Sequence, residues 1–207
     1  MPSHDPISEL PTGNHYDKYS SRNPIEQRMM KGFFQSLDAV LDRVTPQNVL
    51  EVGAGEGEVL VRVMQRFPSA VVRGIDLPDD GLAEIWTQRG LPIAVGDATS
   101  LEFADRSFDL VMAIEVLEHI PDPARALREI ARVASSDVVL SVPREPIWRM
   151  GNMARGRYLG DLGNTPGHVN HWSSRSFERF VATEFDVAQV FRPLPWTMVH
   201  ATIRHRG

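Results

Sequence analysis

Two carboxylates and an imidazole stand at positions i, i+3 and i+4 of the segment E-V-L-E-H-I, as Glu115, Glu118 and His119. One helical turn would bring these three side chains together. Such groups can accept the proton of a reacting hydroxyl, or they can hold a divalent cation that acts as a Lewis acid. The segment is therefore a candidate catalytic centre. In a less specific interpretation, His119 only packs beside a binding pocket.

A second candidate site lies upstream, at residues 49–57, which read V-L-E-V-G-A-G-E-G. The apolar run predicts a buried parallel strand, and the apolar spacing after it predicts a helix. Gly53, Gly55 and Gly57 allow a sharp turn and a close approach to a ligand. The helix N-terminus offers unpaired N–H groups to a negative group. We therefore expect a nucleotide-like cofactor here, although the third glycine comes one residue earlier than in the dinucleotide pattern G-x-G-x-x-G.

Two aspartates follow the next predicted strands. Asp76 closes the strand predicted for residues 70–77, near the place where a βαβ unit sets a carboxylate on ribose hydroxyls. The alternative role for Asp76 is a helix N-cap, which Asp79 can supply instead. Asp97 follows the strand predicted for residues 91–96 and, taken alone, would be an ordinary turn residue.

These candidates lie on a regular alternation of strands and helices. The first strand is predicted at residues 48–52, and apolar runs at 110–114 and 137–142 predict the fourth and fifth. A final helix from residue 172 precedes two closing strands, at 185–191 and 198–204. The alternation predicts an α/β fold with a doubly wound sheet. Ligands bind such sheets at the carboxyl ends of the strands.

The alternation breaks at residues 144–171, which are rich in glycine. Long irregular segments inside compact domains are usually lids or binding loops. The position after the fifth strand favours an acceptor-site lid. This segment is locally basic, since Arg144, Arg149, Arg155 and Arg157 outnumber the acidic residues Glu145 and Asp161.

Length and composition set the broad class of the protein. The 207 residues suit a single domain, whose N-terminal segment, residues 1–22, is expected to be flexible and lacks the apolar core of a signal peptide. The net charge of −5 disfavours nucleic-acid binding. There is no cysteine and no apolar run near the ~18 residues of a membrane span. We expect a cytoplasmic protein, and a homodimer remains an option.

The pattern E-x-G-x-G-x-G, from Glu51 to Gly57, together with E-V-L-E-H-I, resembles the class I S-adenosylmethionine-dependent methyltransferases. The resemblance runs from about residue 47 to 203 and is closest to the type 11/23-like branch with small-molecule O-methyltransferases. It implies a Rossmann-like seven-stranded sheet in three αβα layers, with an antiparallel last strand, and S-adenosylmethionine as the cofactor. The cofactor-binding residues that it implies are Glu51, Gly53, Gly55, Gly57, Asp76, Leu77, Asp97, Ala98 and Glu115. Asp97 and Ala98 would contact adenine, and Glu115 would face the methionine portion.

A further resemblance concerns the small-RNA 2′-O-methyltransferases, in which E-V-x-E-H and a histidine four residues before a tryptophan hold a divalent cation. Here His168 stands four residues before Trp172. The likeness implies Mg²⁺ or Mn²⁺ on Glu115, Glu118, His119 and His168. The RNA enzymes carry additional RNA-binding parts for which this acidic chain has no room, so RNA is not the expected acceptor. Without a metal, His119, His168 and Glu118 would act as acid–base residues.

Several functions fit these residues. We expect an O-methyltransferase that acts on a small polar acceptor, either a carbohydrate or another hydroxylated metabolite, because an alcohol needs the base or cation that this segment offers. A small-molecule N-methyltransferase is the nearest alternative, since a nitrogen acceptor needs only a free lone pair. A non-catalytic partner protein that binds the cofactor is the third.

Overall fold

The computed structural model describes residues 23–154, 156 and 158–204. Residues 1–22, where we expect a flexible segment, lie outside the described residues, as do Arg155 and Arg157. Six α-helices are present in the described part of the chain: α1 Pro24–Leu41, α2 Glu58–Arg66, α3 Asp80–Arg89, α4 Pro123–Val133, α5 Ile147–Ala154 and α6 Ser174–Val181. The seven strands there are β1 Asn48–Val52, β2 Val71–Asp76, β3 Ile93–Val95, β4 Phe108–Ile114, β5 Ala134–Pro143, β6 Phe185–Phe191 and β7 Trp196–Ile203.

The seven strands form one sheet in the order β3-β2-β1-β4-β5-β7-β6. The first five in this order are parallel, whereas β7 runs antiparallel to both β5 and β6. Because β1 pairs with β2 on one side and β4 on the other, the strand order reverses between β1 and β4. A crevice opens at such a switch point. The structure confirms the predicted Rossmann-like sheet with its antiparallel last strand.

Helices cover both faces of the sheet. Successive strand residues point to opposite faces, so Val111 of β4 packs in one core and Met112 in the other. The core with Val111 is completed by α4 and α6, and the core with Met112 by α1 and α2. This is the expected three-layer arrangement, and it keeps the strand ends in fixed positions.

Local sequence signals set several helix starts. Asn23 caps α1, and its Oδ1 accepts a hydrogen bond from the Ile25 N–H at 2.9 Å. Asp122 caps α4 in the same way, with Pro123 at the first helical position. Strands β1 and β6 have the predicted bounds, whereas β3 is shorter than predicted and β5 begins earlier.

Residues 144–171 are more regular than expected. The prediction of an irregular segment is wrong over α5, which is followed by a 3-10 turn at Leu159–Asp161. The helix is attached to the following loop, since Trp148 and Asn152, one turn apart, both donate hydrogen bonds to the Thr165 hydroxyl. Among the described helices, none has the length and apolar character that crossing a membrane would need.

Candidate functional site

A cavity of about 860 Å³ lies at the carboxyl ends of β1, β2, β3 and β4. Its volume falls in the range of small-molecule and cofactor sites. The predicted site residues that line it are Glu51, Gly53, Gly55, Asp76, Leu77, Asp97, Ala98, Glu115 and His119. Both candidate sites of the sequence therefore face one cleft.

The three glycines of the loop have different roles. Gly53 has φ +71°, and a Cβ there would overlap Val116 Cγ2. Gly57 has φ +83°, and its Cβ would lie 2.5 Å from Leu91 Cδ1. Gly55 has φ +52° but would meet nothing within 4 Å. Packing thus favours glycine most strongly at position 53, where the neighbour is the stiff side chain of Val116. At position 57 the positive φ is the main reason for glycine, and Gly55 leaves open space beside the cavity.

Asp76 joins the end of β2 to the glycine loop. Its Oδ2 accepts a hydrogen bond from the Gly55 N–H at 2.6 Å, and its Oδ1 accepts one from the Leu77 N–H at 2.7 Å. Burial raises the pKa of this carboxyl, although these two hydrogen bonds oppose the shift. The N-cap of α3 is Asp79, which accepts from the Leu82 N–H, so the capping alternative for Asp76 does not apply. A carboxylate has lone pairs left for ligand hydroxyls.

Glu51 lies beneath the loop and is only 2% exposed. Burial raises the pKa of its carboxyl well above the usual range, and the negative charge of Asp76 adds to the effect. Its Oε2 has no hydrogen-bond partner among the residues that the structure describes. A buried polar oxygen without a partner is costly, so this oxygen is suited to a hydrogen bond with a bound molecule.

Asp97 adopts the local role that an isolated aspartate usually has. Its Oδ1 accepts hydrogen bonds from the Thr99 N–H at 2.7 Å and from the Thr99 hydroxyl at 2.8 Å. This is an Asx-turn. Asp97 and Ala98 also line the cavity, which is compatible with the predicted contact with adenine. That contact stays a prediction.

Two residues of α3 support the glycine loop and were not predicted. The Trp86 indole N–H donates to the Gly55 carbonyl at 2.7 Å, and Arg89 donates to the Glu56 carbonyl and to Glu58 Oε1, both at 2.7 Å. Trp86 is the buried residue of α3. The tryptophan itself was the available signal, but its partner lies 31 residues away in the chain.

Glu115 departs from the predicted arrangement. Its backbone has φ +59°, which takes it out of the 3-10 turn at Leu117–His119. Its Oε2 accepts a hydrogen bond from the Trp196 indole N–H at 2.6 Å, and its Oε1 accepts one from the Ser141 hydroxyl at 3.3 Å. The expectation that one helical turn brings Glu115 together with Glu118 and His119 is therefore wrong, because the left-handed backbone directs its carboxylate toward β5 and β7.

Glu118, His119 and His168 do come together. One potential ligand atom from each lies within 4.8 Å of the other two. The imidazole centroids of His119 and His168 are 4.9 Å apart in an edge-to-face arrangement. His119 lines the cavity, whereas Glu118 and His168 are 1% and 8% exposed and lie behind it. The structure thus unites three of the four predicted metal ligands and leaves Glu115 outside the group.

The orientation of the His119 ring follows from its contact with Gly167. Nδ1 lies 3.0 Å from the Gly167 carbonyl oxygen. A carbonyl only accepts, so Nδ1 carries the proton and Nε2 carries the lone pair of the neutral ring. A neutral imidazole in this tautomer can accept a proton at Nε2.

The loop that carries His168 is tied to the E-V-L-E-H-I segment. The N–H groups of Val169 and Asn170 donate to the Glu118 carbonyl at 2.9 and 3.1 Å. The Asn170 side chain donates to the Leu117 carbonyl at 3.0 Å and to the Ile120 carbonyl at 2.7 Å. Trp148 stacks on His168 with ring centroids 5.9 Å apart. Asn170 and Trp148 were not predicted, since nothing in their local sequence indicates partners so far along the chain.

Together these features define a class of protein. A doubly wound sheet, a glycine loop at its switch point and an acidic residue at the end of the next strand are typical of α/β enzymes that bind a nucleotide-type cofactor. The group formed by Glu118, His119 and His168 stands at the wall of the same cleft, which His119 lines.

Comparison with known proteins identifies the family. A family model described as a methyltransferase domain matches residues 50–142. A demethylmenaquinone methyltransferase of Roseiflexus sp. (strain RS-1) is 36% identical over 169 residues, which are 72% of this chain and 68% of the relative. The chain belongs to the class I S-adenosylmethionine-dependent methyltransferases. It spans from 45% to 68% of the length of the first curated relatives.

Two further comparisons describe the breadth of the family. A ubiquinone biosynthesis O-methyltransferase of Neisseria meningitidis is 33% identical over 102 residues, 44% of this chain and 41% of the relative. The crystal structure of the magnesium protoporphyrin IX methyltransferase of Synechocystis, with S-adenosylhomocysteine bound, has a TM-score of 0.64 at 19% identity. It covers 89% of this chain and 90% of its own, so the two proteins share the fold.

Proposed function

We propose that this methyltransferase transfers the methyl group to a hydroxyl of a small acceptor, and that His119 accepts the hydroxyl proton. The observation that carries this proposal is the meeting of Glu118, His119 and His168 at the wall of the cofactor cleft. The relative named as a ubiquinone biosynthesis O-methyltransferase supports oxygen as the acceptor atom. Carbohydrates and phenolic compounds are the two acceptor classes to compare.

The residues of the cleft fit S-adenosylmethionine. The open space at Gly55 offers room for the cofactor, and the carboxylate of Asp76 offers an acceptor for ribose hydroxyls. The buried Glu51 Oε2 offers a further hydrogen-bonding position. When bound, the cofactor supplies a methyl group on a sulfonium that a nucleophile can displace. The proposed contacts of Asp97 and Ala98 with adenine, and of Leu77 beside the ribose, follow from their place on the cavity wall.

The cluster supplies what an alcohol acceptor needs. A hydroxyl must lose its proton during or before attack, and a positioned base typically contributes about 10²–10⁴-fold to such a rate. His119 contacts the cavity and presents Nε2 as the basic nitrogen, since Nδ1 is engaged by the Gly167 carbonyl. Glu118 and His168 stand close enough to stabilise the imidazolium that forms.

The same three side chains offer a second interpretation. One carboxylate and two imidazoles within 4.8 Å form a donor set that suits Mg²⁺, Mn²⁺ or Zn²⁺. A cation held there would act as a Lewis acid on the acceptor hydroxyl. Glu115, which is engaged by Trp196 and Ser141, would not complete this set without changing partners.

A methyl-transfer screen tests the proposal. The purified chain is incubated with S-adenosylmethionine and panels of phenols, sugars and amines, each with and without EDTA, and methylated products are measured by mass spectrometry. We expect methylation of a hydroxyl acceptor at a rate that EDTA leaves unchanged. Methylation of amines alone would contradict the assignment of oxygen. Loss of activity in EDTA that Mg²⁺ or Mn²⁺ restores would replace the general base by a cation on the same residues.

A further inference from the structure

Helix α5 is amphipathic with its apolar side turned outward. Asn152 is 2% exposed and donates hydrogen bonds to the Gly163 carbonyl at 2.9 Å and to the Thr165 hydroxyl at 3.2 Å. Met150 is 60% exposed. At about 100° per residue, these two side chains point in nearly opposite directions. Ile147 and Met153, each one turn from Met150, are also exposed.

The loop after α5 extends this surface. Leu159 and Leu162, in and after the 3-10 turn, are 59% and 69% exposed. Gly163 follows directly and packs on α5: a Cβ there would overlap the Arg149 carbonyl and would lie 3.0 Å from Met153 Cγ. The turn is therefore held against the helix. We define the outer apolar face by the side chains of Ile147, Met150, Met153, Leu159 and Leu162.

Large apolar side chains in such a group are unusual on a protein surface, where single exposed ones are ordinary. Other exposed apolar side chains in the described residues, such as Met64 on α2 and Val71 on β2, belong to separate elements. The outer apolar face instead gathers five within 16 consecutive positions, residues 147–162. Such a face marks a site of contact with an apolar partner.

Charge indicates which partner. Residues 144–163 carry four arginines against two acidic residues, within a chain whose net charge is −5. Two of these arginines, at positions 155 and 157, lie outside the described residues, and the described Arg144 and Arg149 are equal in number to Glu145 and Asp161. An interfacial helix with apolar residues on one side and nearby arginines binds anionic lipid surfaces. A second copy of this chain would instead bring two positively charged segments face to face.

We propose that the outer apolar face rests on the surface of a bilayer that contains anionic lipid. The buried side of α5 faces the acid–base cluster, since Trp148 stacks on His168 and His168 adjoins His119. Lipid contact and the acid–base cluster would therefore occupy opposite sides of one helix. Docking of this kind is peripheral, and it does not depend on the identity of the acceptor or on catalysis.

Vesicle flotation of the full chain tests the proposal without an activity measurement. The lipid probes are vesicles of phosphatidylcholine alone and vesicles in which a third of the lipid is phosphatidylglycerol. We expect flotation with the anionic vesicles, weaker flotation at high salt and little with the neutral ones. The double variant Met150→Ser with Leu162→Ser should reduce binding to anionic vesicles by about tenfold or more, because two exposed anchors are lost.

The matched control is the double variant Met64→Ser with Val71→Ser, which removes two exposed apolar side chains elsewhere. It should float like the unmodified protein, and circular dichroism should show that both variants are folded. Absence of binding to anionic vesicles would overturn the proposal, as would equal losses in the two variants. A concentration-dependent dimer in light scattering that only the Met150→Ser, Leu162→Ser variant abolishes would also overturn it, since the face would then be a contact between copies.

Discussion

The glycine loop with Asp76 and the cluster around His119 share one cleft, but they are stabilised differently. Asp76 accepts a hydrogen bond from the Gly55 N–H, 21 residues away in the chain. Asp76 ends β2 and Gly55 lies just after β1, and these two strands are adjacent and parallel. His119 instead contacts Gly167, 48 residues away, and Asn170 reaches Leu117 across 53 residues. The cofactor region is thus built from one βαβ unit, whereas the acceptor region depends on where a distant loop packs.

This difference predicts how each region responds to change. The cofactor region should lose both stability and cofactor affinity when a single backbone conformation is lost, because the strand ends and the loop are one continuous unit. Substitutions in the acceptor region should lower the rate of methyl transfer while the fold and cofactor binding persist, because the residues of this region lie outside the strands of the sheet. Three substitutions, in order of decreasing expected effect on the cofactor region, examine this contrast.

Gly53→Ala should have the largest effect. A left-handed backbone costs an alanine about 1 kcal/mol, and the overlap with Val116 adds roughly 1–3 kcal/mol. We expect a loss of unfolding free energy of about 2–4 kcal/mol and weaker binding of S-adenosylhomocysteine. Denaturant titration and calorimetry measure the two quantities.

The control for this substitution is Gly90→Ala. Gly90 ends α3 with φ +62° and has nothing within 4 Å of its position for a Cβ, so it carries the same backbone strain without an overlap. It should lose only about 1 kcal/mol of stability and keep its affinity for the cofactor. Equal losses in the two variants would mean that packing against Val116 does not hold the loop.

Asp76→Ala should weaken cofactor binding without a comparable change elsewhere. The ribose would lose a charge-assisted acceptor, and the Gly55 and Leu77 N–H groups would lose their partner. We expect a loss of roughly 1.5–3 kcal/mol in binding free energy for S-adenosylmethionine, and no measurable binding of NAD to the unmodified protein. Isothermal titration calorimetry gives both results.

Asp79→Ala is the matched variant, since Asp79 caps α3. It should lose about 0.5–2 kcal/mol of stability and retain its cofactor affinity. If the two variants were reversed, with Asp79→Ala losing the cofactor and Asp76→Ala only stability, the ribose role would belong to Asp79.

Sequence patterns predicted the positions of the glycine loop and Asp76 well because the information for them is local, whereas their contacts with the cofactor stay a prediction. The spacing of the glycines and the position of Asp76 follow strand ends, and the hydrophobic pattern located those ends correctly for β1 and nearly so for β2. The exception is the support from Trp86 and Arg89, whose contacts with the loop depend on how α3 packs.

The acceptor region was predicted only in part. The resemblance to the small-RNA methyltransferases grouped His168 with Glu118 and His119, as the structure does, but it also included Glu115, which lies outside the group. Helical spacing assumed a right-handed backbone, whereas the Glu115 carboxylate is drawn to Trp196, 81 residues away, and its backbone is left-handed. The inverted polarity of α5 was also not predicted, since it depends on the hydrogen bonds of Asn152 with the following loop.

The most direct test of the division between the two regions is to measure turnover and cofactor affinity together in His119→Ala, with the hydroxyl acceptor found in the screen. His171→Ala is the control, because His171 lies 3.8 Å from Glu145 and outside the cluster. We predict that His119→Ala lowers kcat by about 10²-fold or more while the Kd for S-adenosylhomocysteine changes less than about threefold. A Kd that rises as far as kcat falls, or a kcat equal to that of His171→Ala, would contradict the account.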